Sequence, residues 1–527
     1  MKTHLFLLVA VLGACLPAWA QINSATGLSS ANVTMSCPAT AEWGPSCLVY
    51  PVDLQFLPDG RMVVIEQSGA VKIRHTDGSM ALAHRFTVDL DSERGLLGVA
   101  VDPHFSQSSR LFFYYSRTNA NGGSATARHV VVSMTLLPNE TLDPASEYVL
   151  VNNLRGPANH NGGGLAVGPI DEKLYVGVGD TGCNCGCAPG TGMNGSNANS
   201  FGSCLTNGNG KILRVELDGG VPSDNPLVGE TAVTACGATC TSAISASTTA
   251  PGRTDLWAWG FRNPFRFNFD KVTGKLWVGD VGEVTHEEIN IVEKGKHYGW
   301  PWREGGVGGV NNGGQPATTC ATLVPISGDC VDPAWFCSRS DCSSITGGTF
   351  IDNCAWPASQ RGKYFFADYG TGNVMSLTPN GARDAVSAMT ILGTVSSVTA
   401  IREGVDQNLY LVRALQAGRV VRVTATTPLS CGDGGVLDAG VPDAGAIDAG
   451  STDAGNGAGG GSGAGGGMAM GGGAPTGGGT AAGGGSPADG GTGGGVSGGC
   501  GCSSTSVSML LLALASGVFL TRKRRAS

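Results

Sequence analysis

Two stretches of this 527-residue sequence hold residue types and spacings that could do chemistry. The first is GPANHNGGG (156–164), which places His160 in a loop between Asn159 and Asn161. Its glycines let backbone approach a bound molecule closely, and the flanking amides can fix the imidazole ring by hydrogen bonds. The second is the turn-like GFRNP (260–264), with Arg262 next to Asn263, followed by the acidic residues Asp280, Glu283, Glu287 and Glu288, which Gly279 and Gly282 interrupt. A base, a fixed cation and an acidic loop able to take a divalent metal are the groups that oxidation of an alcohol requires. The same residues also read as an exposed loop histidine beside a tight turn and a strand pair with a solvated acidic loop, because structural ion pairs have this sequence signature too.

The elements that must position these groups are short strands. Residues 255–302 carry five of the nine tryptophans, Trp257, Trp259, Trp277, Trp300 and Trp302, alternating with small and polar residues as strands do. A unit of apolar strand, turn and second apolar strand recurs as QFLPDGRMVVIEQSGAVKI, AVGPIDEKLYVGVGD, NFDKVTGKLWVGDVGE and EGVDQNLYLVRALQAGRVVRV, each a hairpin signal. Further strands are predicted at 96–101, 111–116, 130–137, 212–217, 364–368 and 374–377, while long helical periodicity is almost absent. Repeated hairpins that cannot bury both faces alone predict an all-β fold closed radially into a β-propeller. About 390 residues at roughly 60 to 65 per blade give six blades, with cysteine-rich insertions near 183–240 and 320–354 as loops.

Composition divides the rest of the chain. Residues 1–20 carry Lys2, an apolar run and Ala18-Trp19-Ala20, which predicts a signal peptide, although the segment ending at Cys15 also has the form of a lipoprotein cleavage box. The propeller is expected over 21–430. Residues 431–499 are almost all small or Asp and Pro and cannot build a core, so a disordered linker is expected there. Residues 500–527 hold Cys500 and Cys502, a short apolar run and a basic end. The order of those parts resembles the C-terminal sorting tails of myxobacterial surface proteins, which implies an exported protein tethered to the membrane at the cell surface. Setting aside Cys15, Cys500 and Cys502 leaves 14 of the 17 cysteines between Cys37 and Cys431, an even number that favours disulfides in an exported chain. Cys183, Cys185 and Cys187 are close enough to suggest a metal cluster, but no histidine lies near them and the spacing is not that of zinc sites. The net charge of −8 and the lack of a basic stripe before the last residues argue against a nucleic-acid partner.

NHNGGGLAVGP, SERGLLGVAVDPHF, GNGKILRVELDG, WGFRNPFRFNFD, GDVGEVTHEEINIV and YGWPWREG, in that set, resemble the motif series of the glucose/sorbosone dehydrogenase family over about residues 45–425. That family contains soluble pyrroloquinoline-quinone (PQQ) sugar dehydrogenases and the propeller of hedgehog-interacting proteins. The resemblance implies a six-bladed propeller with PQQ at the channel mouth. It implies His160 as general base toward a sugar hydroxyl, Arg262 with Asn263 against the quinone oxygens, and Asn159 among the cofactor contacts. It further implies Ca²⁺ on the carbonyls of Gly282 and Glu283, Glu93 where the soluble enzymes place a Gln, and Glu288 supporting the metal loop. Two features depart from it: the insertion around Cys183 to Cys187 sits where another cofactor contact would lie, and the late cations are missing. The family's late Lys and Arg pair, which hold the PQQ carboxylates, correspond here to Gly370 and to residues 396–398, leaving Arg402, Arg413 and Lys363 as possible substitutes. That departure supports the alternative of a non-catalytic propeller binding a protein or polysaccharide. A calcium-dependent lactonase on a similar propeller is a third reading, against which the His-Asn-Gly-Gly-Gly run speaks.

Overall fold

The turn chemistry read from the sequence builds real hairpins. At Pro58-Asp59-Gly60 the Leu57 amide donates to Arg61 O at 2.8 Å and Gly60 takes a φ of +87°, a left-handed conformation that glycine adopts without cost. A computed structural model describes residues 21–33, 47–117, 128–156, 158–182, 200–237, 247–283, 285–301, 303–305, 330–415 and 418–430. The expected signal peptide, linker and C-terminal tail, together with Cys183, Cys185, Cys187 and Trp302, lie outside those residues.

Six antiparallel sheets follow one another along the chain. Blade 1 is made of Pro51–Phe56, Met62–Glu66, Ala70–Arg74 and Met80–Arg85; blade 2 of Leu96–Val101, Arg110–Arg117, Arg128–Thr135 and Tyr148–Arg155. Blade 3 joins Leu165–Val167, Leu174–Val178, Lys211–Val215 and Leu256–Trp259, and blade 4 joins Pro264–Phe269, Leu276–Asp280, His286–Val292 and Trp335–Ser338. Blade 5 runs Ile345–Ile351, Lys363–Asp368, Asn373–Pro379 and Val386–Thr394, with Gln21–Ile22 added at its edge. Blade 6 contains Val398–Glu403, Leu409–Arg413 and Arg419–Ala425, and its fourth strand is the N-terminal Leu28–Val33. The first strand of each blade touches that of the next, and the contact between the sixth and the first closes the ring. A six-bladed β-propeller is therefore the observed fold.

Packing explains why it must close. Each of six apolar clusters draws on two adjacent blades; Val63, Ile65 and Ile73 of blade 1, for example, pack on Val99, Phe113 and Val132 of blade 2. The remaining clusters join blades 2 and 3, 3 and 4, 4 and 5, 5 and 6, and 6 and 1. Trp259 and Trp277 are both fully buried in these spaces. Cys47, Cys204, Cys236, Cys330, Cys337, Cys342 and Cys354 are each disulfide-bonded, with Cys204 joined to Cys236 and Cys337 to Cys342.

Charge as well as apolar surface crosses between blades. Asp53 of blade 1 accepts two hydrogen bonds from Arg402 of blade 6, at 2.9 and 2.7 Å. Arg266 of blade 4 donates to Val52 O and Leu97 O at 3.1 and 2.8 Å. All three side chains are buried. Burial lowers the Arg266 pKa to about 10, with Asp53 opposing that shift and Arg402 reinforcing it. Removing one member of such a pair leaves a buried charge uncompensated. Arg402→Met should cost about 3–5 kcal/mol of stability, measured as a lowered urea midpoint against Lys271→Met, which breaks only an exposed pair with Glu403.

Candidate active site

The loop 156–164 delivers the first strand of blade 3, and His160 sits in it with a left-handed φ of +54°. That conformation is costly for a residue with a Cβ, and residues held this way concentrate where a side chain has to be aimed. Two carboxylates hold it. Glu93 Oε2 accepts from the His160 backbone N–H at 2.7 Å, and Asp180 Oδ1 lies 2.7 Å from the ring Nδ1. Asp180 follows strand Leu174–Val178 and is fully buried. It also accepts from Gly182 N at 2.8 Å and from the Trp300 indole at 2.6 Å. With Asp180 only accepting, the neutral ring carries its proton on Nδ1 and keeps a lone pair on Nε2.

Arg262 enters from the loop before blade 4. The Asp180 amide donates to Arg262 O at 2.8 Å, and the guanidinium lies 5.6 Å from the Trp300 ring, so the two stretches found in the sequence meet around Trp300. The Arg262 and Asn263 amides both donate to Asp280, at 3.0 and 2.7 Å. Asn263 Oδ1 in turn accepts from Gly162 N at 3.0 Å, bracing the histidine loop. Gly162 and Gly163 have φ of +66° and +103°, and a Cβ on Gly163 would lie 2.7 Å from that of Leu97, which accounts for the glycine run. The Arg262 guanidinium donates to Val281 O at 3.0 Å and pairs with the Glu283 carboxylate. Burial alone would lower its pKa, but Glu283, Asp180 and Glu304 outweigh burial and leave it raised.

Contacts thus link His160, Glu93, Arg262, Asn263 and Glu283 into one neighbourhood. Glu93 and Asn263 brace the histidine loop, the Trp300 indole meets Arg262 at its face and Asp180, the partner of His160, at its N–H, and Asn159 stands beside Gly182. Sequence reasoning missed Asp180, Trp300 and Glu304. Glu304 accepts from the Glu283 amide and, at 3.1 and 2.6 Å, from the Thr285 amide and hydroxyl.

The Arg262 guanidinium, with its Nε unpartnered among the described residues, is a donor suited to the oxygens of a quinone bearing carboxylates. Asn159 Oδ1 and Arg262 Nε are buried and have no partner among the described residues, so both are polar atoms a bound molecule could serve. Of the three substitute cations, Arg402 is committed to Asp53, whereas Arg413 holds Ser396 through its carbonyl at 2.9 Å and its hydroxyl at 2.6 Å and supplies a guanidinium at that position. Gly370 has no room for the family's lysine, since a Cβ there would lie 2.3 Å from Ser343 Oγ. Calcium does not fit. The Gly282 and Glu283 carbonyls both accept from the Arg339 guanidinium, and among the described residues no group of three His, Cys, Asp or Glu side chains could hold a metal.

A family profile described as Glucose / Sorbosone dehydrogenase matches residues 48–422. The aldose sugar dehydrogenase YliI of Escherichia coli is 23% identical over 414 residues, covering 74% of this chain and 97% of the relative. The crystal structure of the soluble aldose sugar dehydrogenase from Escherichia coli in the apo-form has a TM-score of 0.57 at 21% identity and covers 76% of this chain and 99% of that one. The PQQ-bound aldose sugar dehydrogenase from Streptomyces coelicolor gives a TM-score of 0.52 at 20% identity, covering 75% of this chain and 98% of the other.

Burial raises Glu288 to about 8, with Asp280 adding to the shift and the Gly305 amide opposing it. A carboxyl with a raised folded-state pKa stabilises the protein fully below its unfolded pKa, and that stability is lost as pH climbs through the folded value. Glu288→Gln should therefore flatten the fall in urea midpoint between pH 5 and pH 8, as paired denaturations would read.

Proposed function

The chain belongs to the glucose/sorbosone dehydrogenase family, and on that premise we propose that it oxidises an aldose or a related sugar with PQQ as the hydride acceptor. The observation that carries this reading is the buried His160–Asp180 pair, 2.7 Å apart, beside a guanidinium that shares Trp300 with it. His160 Nε2 takes the proton of the sugar hydroxyl, while PQQ, when bound, accepts the hydride leaving the same carbon. Asp180 is a positioning residue: it holds the Nδ1 proton and compensates the imidazolium that forms. Arg262 lends positive charge to oxygens that become more negative during the reaction. Asn159, Arg262 and Arg413 would hold the quinone. Export and tethering through 500–527 belong to the same proposal, and the oxidised cysteines support an oxidising compartment.

The test is reconstitution with PQQ, followed by dye reduction with a panel of aldoses. His160→Ala should lower kcat by about 10²–10⁴-fold while quinone binding, read by absorbance, stays within about twofold. Asp180→Asn should lower kcat more than it changes KM and should shift the acid limb of the pH–rate profile, an effect that loosened packing alone would not give. Sugar oxidation that survives His160→Ala would remove the base assignment. Failure of the wild-type protein to bind the quinone at all would favour the binding-propeller reading, which the occupied Gly282 and Glu283 carbonyls also support.

A further inference from the structure

Arg339 was read from sequence only as part of a cysteine-rich insertion, yet its guanidinium ends among the acidic loop residues. Its Nη2 donates to Gly282 O and, at 2.9 Å, to Glu283 O. Its Nη1 donates to Ser343 O and lies 2.7 Å from Glu287 Oε1. Glu287 is fully buried, and its other oxygen accepts from the Ile345 amide at 3.0 Å. The carboxylate thus has the guanidinium beside one oxygen and the Ile345 amide on the other.

We propose that Arg339 is the resident cation of this site, standing between the Gly282 and Glu283 carbonyls in place of calcium, so that the protein takes no divalent metal there. Two converging backbone carbonyls are hard oxygen donors of the kind that calcium uses, and calcium needs about six to eight oxygens around it. Here the lone pairs of both carbonyls face a guanidinium. A second cation at the same oxygens would meet like charge at a separation of a few ångström, in a partly buried setting that screens poorly. The nearest acidic side chains are already engaged, Glu287 with Arg339 and Glu283 with Arg262, while Glu304 accepts from the Glu283 and Thr285 amides.

The arginine is built in. Strand Trp335–Ser338 pairs with His286–Val292, putting Cys337 opposite Glu287, and the Arg339 amide continues the ladder to Thr285 O at 2.8 Å. The Cys337–Cys342 disulfide closes the short turn that carries Arg339. Within it, the amides of Asp341 and Cys342 donate to Ser338 O, each at 2.9 Å. The backbone of Arg339 is therefore held by its own blade, and its side chain reaches back over the strand it pairs with.

Calcium titration of the metal-stripped full chain tests this by calorimetry, and it reads the proposal whether or not sugar oxidation is ever detected. The wild type should show no calcium binding below about 1 mM Kd, whereas Arg339→Ala, with its carbonyls and Glu287 uncovered, should bind one calcium at least tenfold more tightly. Adding Glu287→Gln to Arg339→Ala should remove most of that gain. If Arg339→Ala does not fold, Arg339→Gln keeps a donor without the charge and should show the same gain. The proposal is overturned if the wild type and the Arg339 variants bind calcium equally, whether none or one, or if the wild type alone binds it in the micromolar range.

Discussion

Each blade of this propeller depends on a polar clasp at the end of its second strand, which grips the loop that brings the first strand of that blade to the axis. In blade 1, Glu66 accepts from the Val49 amide at 2.8 Å, and in blade 2 Ser116 accepts from the Gly95 amide at 3.3 Å. Asp280 takes the Arg262 and Asn263 amides in blade 4, and Asp368 takes the Ser343 and Ser344 amides in blade 5, at 2.6 and 3.1 Å. In blade 6, Arg413 reverses the polarity and donates to Ser396 O. An incoming loop has backbone polar groups that burial would otherwise leave unserved, and these clasps meet that cost, amides in blades 1, 2, 4 and 5 and a carbonyl in blade 6. Blade 3 differs in one respect: Asp180 grips an imidazole. The His160–Asp180 geometry is thus a structural device used around the whole ring, altered at one position.

That view explains how carboxylates can be so deeply buried. Asp180, Asp280 and Asp368 are all nearly or fully inaccessible, yet each accepts from several fixed N–H groups, which replace the water it lost. Burial still raises Asp280 to about 7, so its clasp is strongest as a hydrogen-bond acceptor and weakest as a source of charge near Arg262. Glu283 and Glu287 are placed differently. They sit against Arg262 and Arg339, and the acidic appearance of 280–288 in the sequence becomes a set of internal pairs.

The propeller was legible because its information is local: the Pro-Asp-Gly turn at 58–60 and its counterparts announce hairpins that need no distant partner to be recognised. His160 and Arg262 were legible by residue type and glycine context. Asp180 was not, although VGVGD at 176–180 and LWVGD at 276–280 carry the same strand-ending aspartate and could have flagged it as a repeat position. Its partner is a ring 20 residues earlier whose approach depends on a left-handed backbone, and spacing does not encode that. Trp300 and Arg339 were hidden for a related reason. Trp300 had been counted as core, and Arg339 is separated from the Gly282 carbonyl by 57 residues and reaches it through a turn closed by a disulfide.

The N-terminal strand Leu28–Val33 lies opposite Val420–Ala425, the last strand of the ring. A ribosome makes these two segments at opposite ends of its work. Until Arg419–Ala425 emerges, Leu28–Val33 has no ladder to join and presents an open edge. Five blades can stack in order of synthesis, but the ring has to wait, and a product stalled before Arg419 would leave Leu28–Val33 without its partner. Closure thus links the order of manufacture to the moment at which the sixth blade, and the contact that shuts the ring, first exists.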